Sequence, residues 1–210
     1  MNYAWARDFT LQLINQYSVA GQEVLPSYNN QADYIDRIPA LLDDAQVYVA
    51  TTVRRIREVV PFSQLLPSYM PGWEIYDLPE DCWQMAGGGL IRFTGPKIQR
   101  YHKYRMLGSK QIAIPEGLRG ELELEYFRRP KLLGASPSDG DELDNTVEVQ
   151  MALPYYVASH LVMYDNAFAY SALMNEFETK LERLYELPQT ELTITEDVYD
   201  PVEWRYDGWE

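Results

Sequence analysis

The stretch NNQADYIDRIPALLDDAQVYVATTVRRIREVV, residues 29–60, decides the fold class. Ile35, Ile38, Leu42, Ala45, Val49, Thr52, Ile56 and Val59 recur at alternating three- and four-residue steps. That spacing lays a single apolar stripe along one long helix. Asp33, Asp36, Asp43 and Asp44 fall in its first half, and Arg54, Arg55 and Arg57 near its end. This order of signs suits the helix dipole, which acts mainly on the terminal turns. Pro39 marks a kink or the true helix start, because proline lacks the N–H that an interior position donates. Pro61 closes the segment.

Upstream, Tyr3–Tyr17 predicts a first helix with Trp5, Phe9, Leu13 and Ile14 on one side and Leu11 flanking. Ser18–Ser27, with Gly21 and Pro26, reads as a loop. Downstream the period changes. Ser63–Gly72 is a loop with Pro67 and Pro71, and then Trp73–Leu78, Leu90–Phe93, Tyr101–Met106 and Gln111–Ile114 read as short strands. Gly120–Phe127 alternates Leu122, Leu124 and Tyr126 against Glu121, Glu123 and Glu125, the pattern of a half-exposed strand with one acidic face. Arg129–Asn145 is rich in Pro, Gly, Ser and Asp and reads as a surface linker.

A second helical stretch spans Glu148–Leu187. Its apolar face is Leu153, Val157, Leu161, Tyr164, Phe168, Met174, Phe177, Leu181 and Leu184. Pro154 implies a break or a first-turn position, and Asp165-Asn166 a weak point. The expected class is α+β: a long-helix bundle core, an inserted small antiparallel β sheet or sandwich, and an extended C-terminal tail. The expected boundaries are 1–69 for the N-terminal core helices, 70–133 for the β insertion, 134–147 for the linker, 148–187 for the C-terminal core helix and 188–210 for the tail. In that tail Glu191–Thr195 alternates like a strand, and Tyr199, Trp204, Tyr206 and Trp209 stand among acids. So many rings mark a tail that folds onto something.

The 210 residues suffice for a hydrophobic core, and 46% apolar with 24% charged residues is ordinary globular composition. A net charge of −14 argues against a surface built to grip nucleic acid or anionic lipid. It reads as solubility through self-repulsion, or as a surface that nucleic acid passes without sticking. One cysteine, Cys82, allows neither an internal disulfide nor a thiolate zinc site, and fits a reducing compartment. No apolar run reaches the length of a signal peptide or a membrane span.

Chemistry-bearing patterns are sparse. His102 and His160 are the only histidines and fall in different predicted elements. No G-x-S-x-G nucleophile turn, H-E-x-x-H or calcium-loop spacing occurs. Glu80 and Asp81 precede Cys82 and would raise its thiol pKa. Gly87-Gly88-Gly89 lacks a following G-K-[ST], so it reads as a hairpin turn or loop tip and not a phosphate loop. Neither catalytic residues, nor cofactors, nor metals are expected.

Lys97, Arg100, His102, Lys103, Arg105 and Lys110, interleaved with Tyr101 and Tyr104, form the one extended basic run. On a strand, Arg100, His102 and Tyr104 would face one way and Tyr101, Lys103 and Arg105 the other. Such a run meets either single-stranded nucleic acid or the acidic surface of a neighbouring subunit. The candidate partner interface therefore comprises Arg54, Arg55, Arg57, Arg100, Tyr101, Lys103, Tyr104, Arg105, Leu192, Ile194, Tyr199, Trp204, Tyr206 and Trp209.

Three stretches share their phrasing with a known group: ADYIDRIPALLDDAQ at 32–46, leading into 51–60; IYDLPED at 75–81, followed by strands ending in EYFRRP at 125–130; and LPYYVASHL at 153–161, followed by Asp165, Ala167 and NEFE at 175–178. Over most of residues 30–187 the chain resembles the tailed-bacteriophage head-to-tail connector (adaptor or head-completion) family, in layout and local phrasing without an invariant motif. The resemblance implies a non-enzymatic virion protein, assembled in the host cytoplasm and located in the neck between capsid and tail. It implies a homo-oligomeric ring, a dodecamer, that binds the portal protein and tail or neck proteins. Such a ring extends a channel through which DNA passes without specific binding, and terminal segments clasp adjacent subunits or the portal. The aromatic tail has no match in that pattern. The alternative readings are a tail-completion or other neck protein, and a nucleic-acid-binding module using Lys97–Lys110.

Overall fold

The computed structural model describes residues 1–16, 28–62, 65–66, 69–94, 97–117, 121–186 and 196–197. The loop expected at Ser18–Ser27, the strand expected at Glu191–Thr195 and the tail rings lie outside them. The described chain is a mixture of helix and sheet, class α+β. Its helices are α1 (Tyr3–Gln16), α2 (Tyr28–Thr52), α3 (Val147–Gln150), α4 (Leu153–Val162) and α5 (Ala167–Glu186). Its strands are β1 (Ile56–Pro61), β2 (Leu65–Leu66), β3 (Trp73–Asp77), β4 (Cys82–Thr94), β5 (Lys97–Tyr101), β6 (Arg105–Leu107), β7 (Gln111–Pro115), β8 (Glu121–Arg128) and β9 (Glu196–Asp197). Two compact units divide the chain: Met1–Ile56 with Arg129–Gln189, and Arg57–Arg128 with Thr190–Glu210.

The helical unit closes around one apolar cluster. Ile38, Leu42, Ala45 and Val49 of α2 meet Leu13 and Ile14 of α1, Leu153, Val157 and Leu161 of α4, and Leu173, Phe177, Leu181 and Leu184 of α5. Each such side chain contributes about 1.5–3 kcal/mol by leaving water. The middle of the three-four stripe, Ile38 to Val49, thus forms the core, whereas Ile35 is half-buried, Thr52 is exposed and α2 stops there. Ile56 and Val59 continue the spacing in sequence and belong to β1 instead. The β-branched run Thr51-Thr52-Val53 weakens the helix there, and the amides of Val53 and Arg54 both bond to the carbonyl of Val49 as it ends. Pro39 is interior to α2 and not its start.

The second stretch is three helices. Pro154 occupies the first turn of α4, and a turn at Met163–Asp165 separates α4 from α5. Asn166 caps α5, its Oδ1 accepting the amide of Ala169 at 3.0 Å. The break resets the helical phase. Ala169, Leu173, Phe177 and Leu181 are buried, whereas Tyr164 and Phe168, expected on the apolar face, are exposed.

The segment expected as a surface linker, Arg129–Asn145, is built into this unit. Asp43 on α2 accepts the amides of Leu133 at 2.7 Å and Gly134 at 3.0 Å. Gln46 accepts the amide of Asp144 at 2.9 Å, and buried Gln150 donates to the carbonyls of Leu143 and Asn145. Arg7 on α1 reaches Asp139 at 2.7 Å. Leu143 is buried in the core cluster.

In the sheet unit the described strands form two sheets, ordered β1-β8-β4-β5-β9 and β2-β3-β7-β6. Leu90, Tyr101, Leu124 and Tyr126 of the first share an apolar cluster with Ile112 and Ile114 of the second. Gly87-Gly88-Gly89 is not a turn: it lies within β4, where the register against β8 slips between Met85 and Leu90. A bulge needs residues that tolerate irregular backbone, which glycine supplies. The run 101–106 is not one strand either, since β5 ends at Tyr101 and β6 begins at Arg105. The expected one-face alternation across it does not form. On β8 the expected acidic face is enclosed only at Glu125, which is 1% exposed; Glu121 is exposed and Glu123 half-buried.

Replacing Asp43 by Ala should cost about 2 kcal/mol, the loss of charge-assisted hydrogen bonds with their amides left unpaired. Chemical denaturation measures the loss, and hydrogen exchange should show faster exchange at Leu133 and Gly134.

Candidate interaction surface

The three arginines after α2 occupy different settings. Arg54 lies half-buried just past the helix, with Nη1 buried and without a hydrogen-bond partner. Its charge helps hold the Glu148 carboxyl below the usual range, after the larger effects of that residue's own backbone amide and of Thr146. Arg55 is exposed. Arg57 stands on β1 and forms an ion pair with the buried Glu125 of β8, while Arg128 pairs with Glu58 at 2.6 Å. The reading of these arginines as a common helix end therefore does not hold.

The basic run divides as well. Arg100 is half-buried on β5, with Nε buried and unpartnered. Tyr101 is 7% exposed and packs in the sheet core, and Tyr104 lies partly buried against the same cluster. Lys103 is half-buried in the link between β5 and β6. Arg105 is exposed on β6, with its guanidinium 4.9 Å from the ring centre of Trp73. Arg100 and Arg105 thus stand on strands of two different sheets with Lys103 in the link between them, and Tyr101 is part of the core. Leu192, Ile194, Tyr199, Trp204, Tyr206 and Trp209 lie outside the described residues.

The helical unit presents a surface that the periodicity missed. Tyr164 is 85% exposed and Phe168 73% exposed, at the corner between α4 and α5. The corner is fixed from below. Tyr34 of α2 donates to Asp165 at 2.7 Å, and Asn166 caps α5. Burial and the Asp165 carboxylate push the Tyr34 hydroxyl up to about 12. A second such bond runs from Tyr156 to Asp44 at 2.6 Å, and burial followed by Asp44 raises the Tyr156 hydroxyl. Half-exposed Tyr48 stacks on Tyr156 at 6.1 Å. The Asp165-Asn166 pair, expected as a weak point in the helical stretch, was the sequence signal for this corner.

The groups with catalytic chemistry are engaged locally. His160 Nδ1 lies 2.9 Å from the carbonyl of Tyr156, and its ring packs tilted on that of Tyr156 at 4.0 Å between centres. His102 belongs to the sheet unit and His160 to the helical unit. Cys82 is half-buried, its thiol pushed up by burial and then by Asp81. Among the described residues no three His, Cys, Asp or Glu side chains are grouped to hold a metal ion, and no helix is long and apolar enough to cross a membrane. Neither protein-family models nor curated protein sequences match the chain.

Two outcomes test this account. Arg57→Ala should destabilise the sheet unit by about 3–5 kcal/mol by leaving Glu125 buried and unpaired, and Arg57→Met with Glu125→Leu should recover most of it; urea denaturation reads both. Tyr34 keeps its proton longer folded than unfolded, so its contribution is full below pH 10 and falls as pH rises toward about 12. Tyr34→Phe should flatten the decline of the denaturation midpoint across that window.

Proposed function

We propose that the chain is a structural subunit of a tailed-phage neck, a head-to-tail connector that joins portal to tail and extends the DNA channel. In this reading the long helices form the bundle core of each subunit, the sheet unit is its insertion and residues 188–210 are the extended tail. Copies close into a ring, a dodecamer on the family pattern. Its role is non-catalytic and its place is the virion.

The observation that carries the reading is the corner at Tyr164 and Phe168. Two large rings displayed on a corner held by Tyr34–Asp165 and the Asn166 cap form a ready anchor for another protein chain. Aromatic side chains on rigid supports carry most of the energy of such contacts. Isolated exposed apolar residues are common, and two exposed rings at one fixed turn support reading it as a contact surface. Charge supports the same role. Residues 1–56 and 129–189 hold sixteen acidic side chains against eight basic ones. Repeated around a ring, that excess repels phosphate and leaves DNA free to slide.

Mass photometry and class-averaged images of the purified chain, alone and with portal protein of the same phage, test the proposal. Ring-sized particles, or a ring on the portal, are the expected result. A monomer at tens of micromolar that ignores portal protein overturns it. Tyr164→Ser with Phe168→Ser should weaken assembly at least about tenfold, as expected on losing hot-spot residues. Stability should change by less than about 0.5 kcal/mol, because both rings are exposed.

A further inference from the structure

One exposed carboxylate of the helical unit sits among aromatic rings. Asp44 and Tyr48 stand one turn apart on the same face of α2. Asp44 is exposed, and Tyr48 is 43% exposed. From α4, Tyr156 donates its hydroxyl proton to Asp44 Oδ2 at 2.6 Å. The rings of Tyr48 and Tyr156 lie 20° from parallel, with centres 6.1 Å apart. His160, one turn further along α4, packs against Tyr156, and Tyr170 of α5 meets His160 edge-on at 6.4 Å. Buried Phe177 of α5 supports both Tyr48 and Tyr156, at 6.3 and 5.2 Å between ring centres.

Three helices of the helical unit thus contribute to one cluster. Burial and then Asp44 raise the Tyr156 hydroxyl, and Tyr48 and Tyr170 lie close enough to add to the effect. The two neighbouring aspartates of α2 are used differently. Asp43 is taken up by the amides of Leu133 and Gly134. Asp44 receives only the Tyr156 hydroxyl and pairs with no lysine or arginine among the described residues. A carboxylate offers about four acceptor positions, so most of those on Asp44 are open.

We infer that this surface is a docking site for an arginine side chain of a partner protein. A guanidinium is planar, donates two parallel hydrogen bonds to a carboxylate and stacks on an aromatic face. Asp44 supplies the acceptor, and the face of Tyr48 turned away from Tyr156 supplies the ring, one turn along the same helix. The Tyr156 bond fixes the carboxylate before any partner arrives, which lowers the ordering cost of binding. Charge complementarity selects the occupant. The helical unit, with sixteen acidic side chains against eight basic ones, attracts a cationic segment and repels an acidic one. The inference goes beyond the connector reading and holds whether or not the chain forms a ring.

The test titrates the full, isotope-labelled chain with N-acetyl-arginine amide, which stands in for an arginine within a peptide. NMR shifts of Asp44, Tyr48, Tyr156 and Tyr170 should move together, with a Kd of about 1–10 mM for a ligand of this size. The uncharged citrulline analogue should leave them in place. The lysine analogue, a point charge without a planar fork, should bind at least about threefold more weakly. Asp44→Asn keeps an acceptor for Tyr156 and should weaken binding at least about tenfold, as expected on losing the charge-assisted pair. Tyr48→Leu should weaken it at least about threefold by removing the stacking face. Asp33→Asn makes the same change in net charge on α2 and should bind like the wild type. Unmoved shifts at Leu13 and Val157 report an intact core in each variant. No response of the cluster up to about 50 mM ligand, equal shifts with the citrulline analogue, or equal binding by Asp44→Asn and wild type overturns the inference.

Discussion

Asp43 bears the heaviest structural duty in the helical unit. That unit is assembled from two pieces of chain separated by the whole run from Arg57 to Arg128. The returning segment has no helix or strand of its own to dock, and its backbone amides need acceptors. Asp43 accepts two of them and Gln46 a third, from consecutive turns of α2. Gln150 then holds the carbonyls of Leu143 and Asn145. With the return path pinned at both ends, α4 and α5 arrive in register to bury Leu153, Val157 and Phe177 against α2.

The class and the main elements were legible because they rest on periodicity. The three-four stripe of α2 and the strands at Trp73, Gln111 and Glu121 depend on local pattern. Misreadings arose where tertiary context overrode it. Ile56 and Val59 extended the stripe by coincidence of spacing, although the chain had already turned into β1. Tyr164 and Phe168 kept the period across Asp165-Asn166, although a capped turn had shifted the phase. The glutamates of β8 alternated like a wet face, which Glu121 keeps, whereas Glu125 is buried and paired with Arg57 of β1.

The candidate surface was legible in part for a related reason. Composition exposes a cluster of cations without showing which neighbours they meet. Arg100, Lys103 and Arg105 fall on two sheets and the link between them, while Tyr101 is core, because β5 alternates across its sheet. The Tyr164–Phe168 corner needed the fold, since the bond that fixes it joins residues 34 and 165.

The interrupted order of the helical unit also governs how the chain is born. α1 and α2 leave the ribosome with their apolar faces complete, but the helices that cover those faces follow the whole run from Arg57 to Arg128. At about 5–20 residues per second, the 100 residues between α2 and α4 impose a wait of roughly 5–20 s. During that interval Ile38, Leu42 and Val49 are uncovered, and nascent-chain chaperones have a defined apolar strip to hold until α4 emerges.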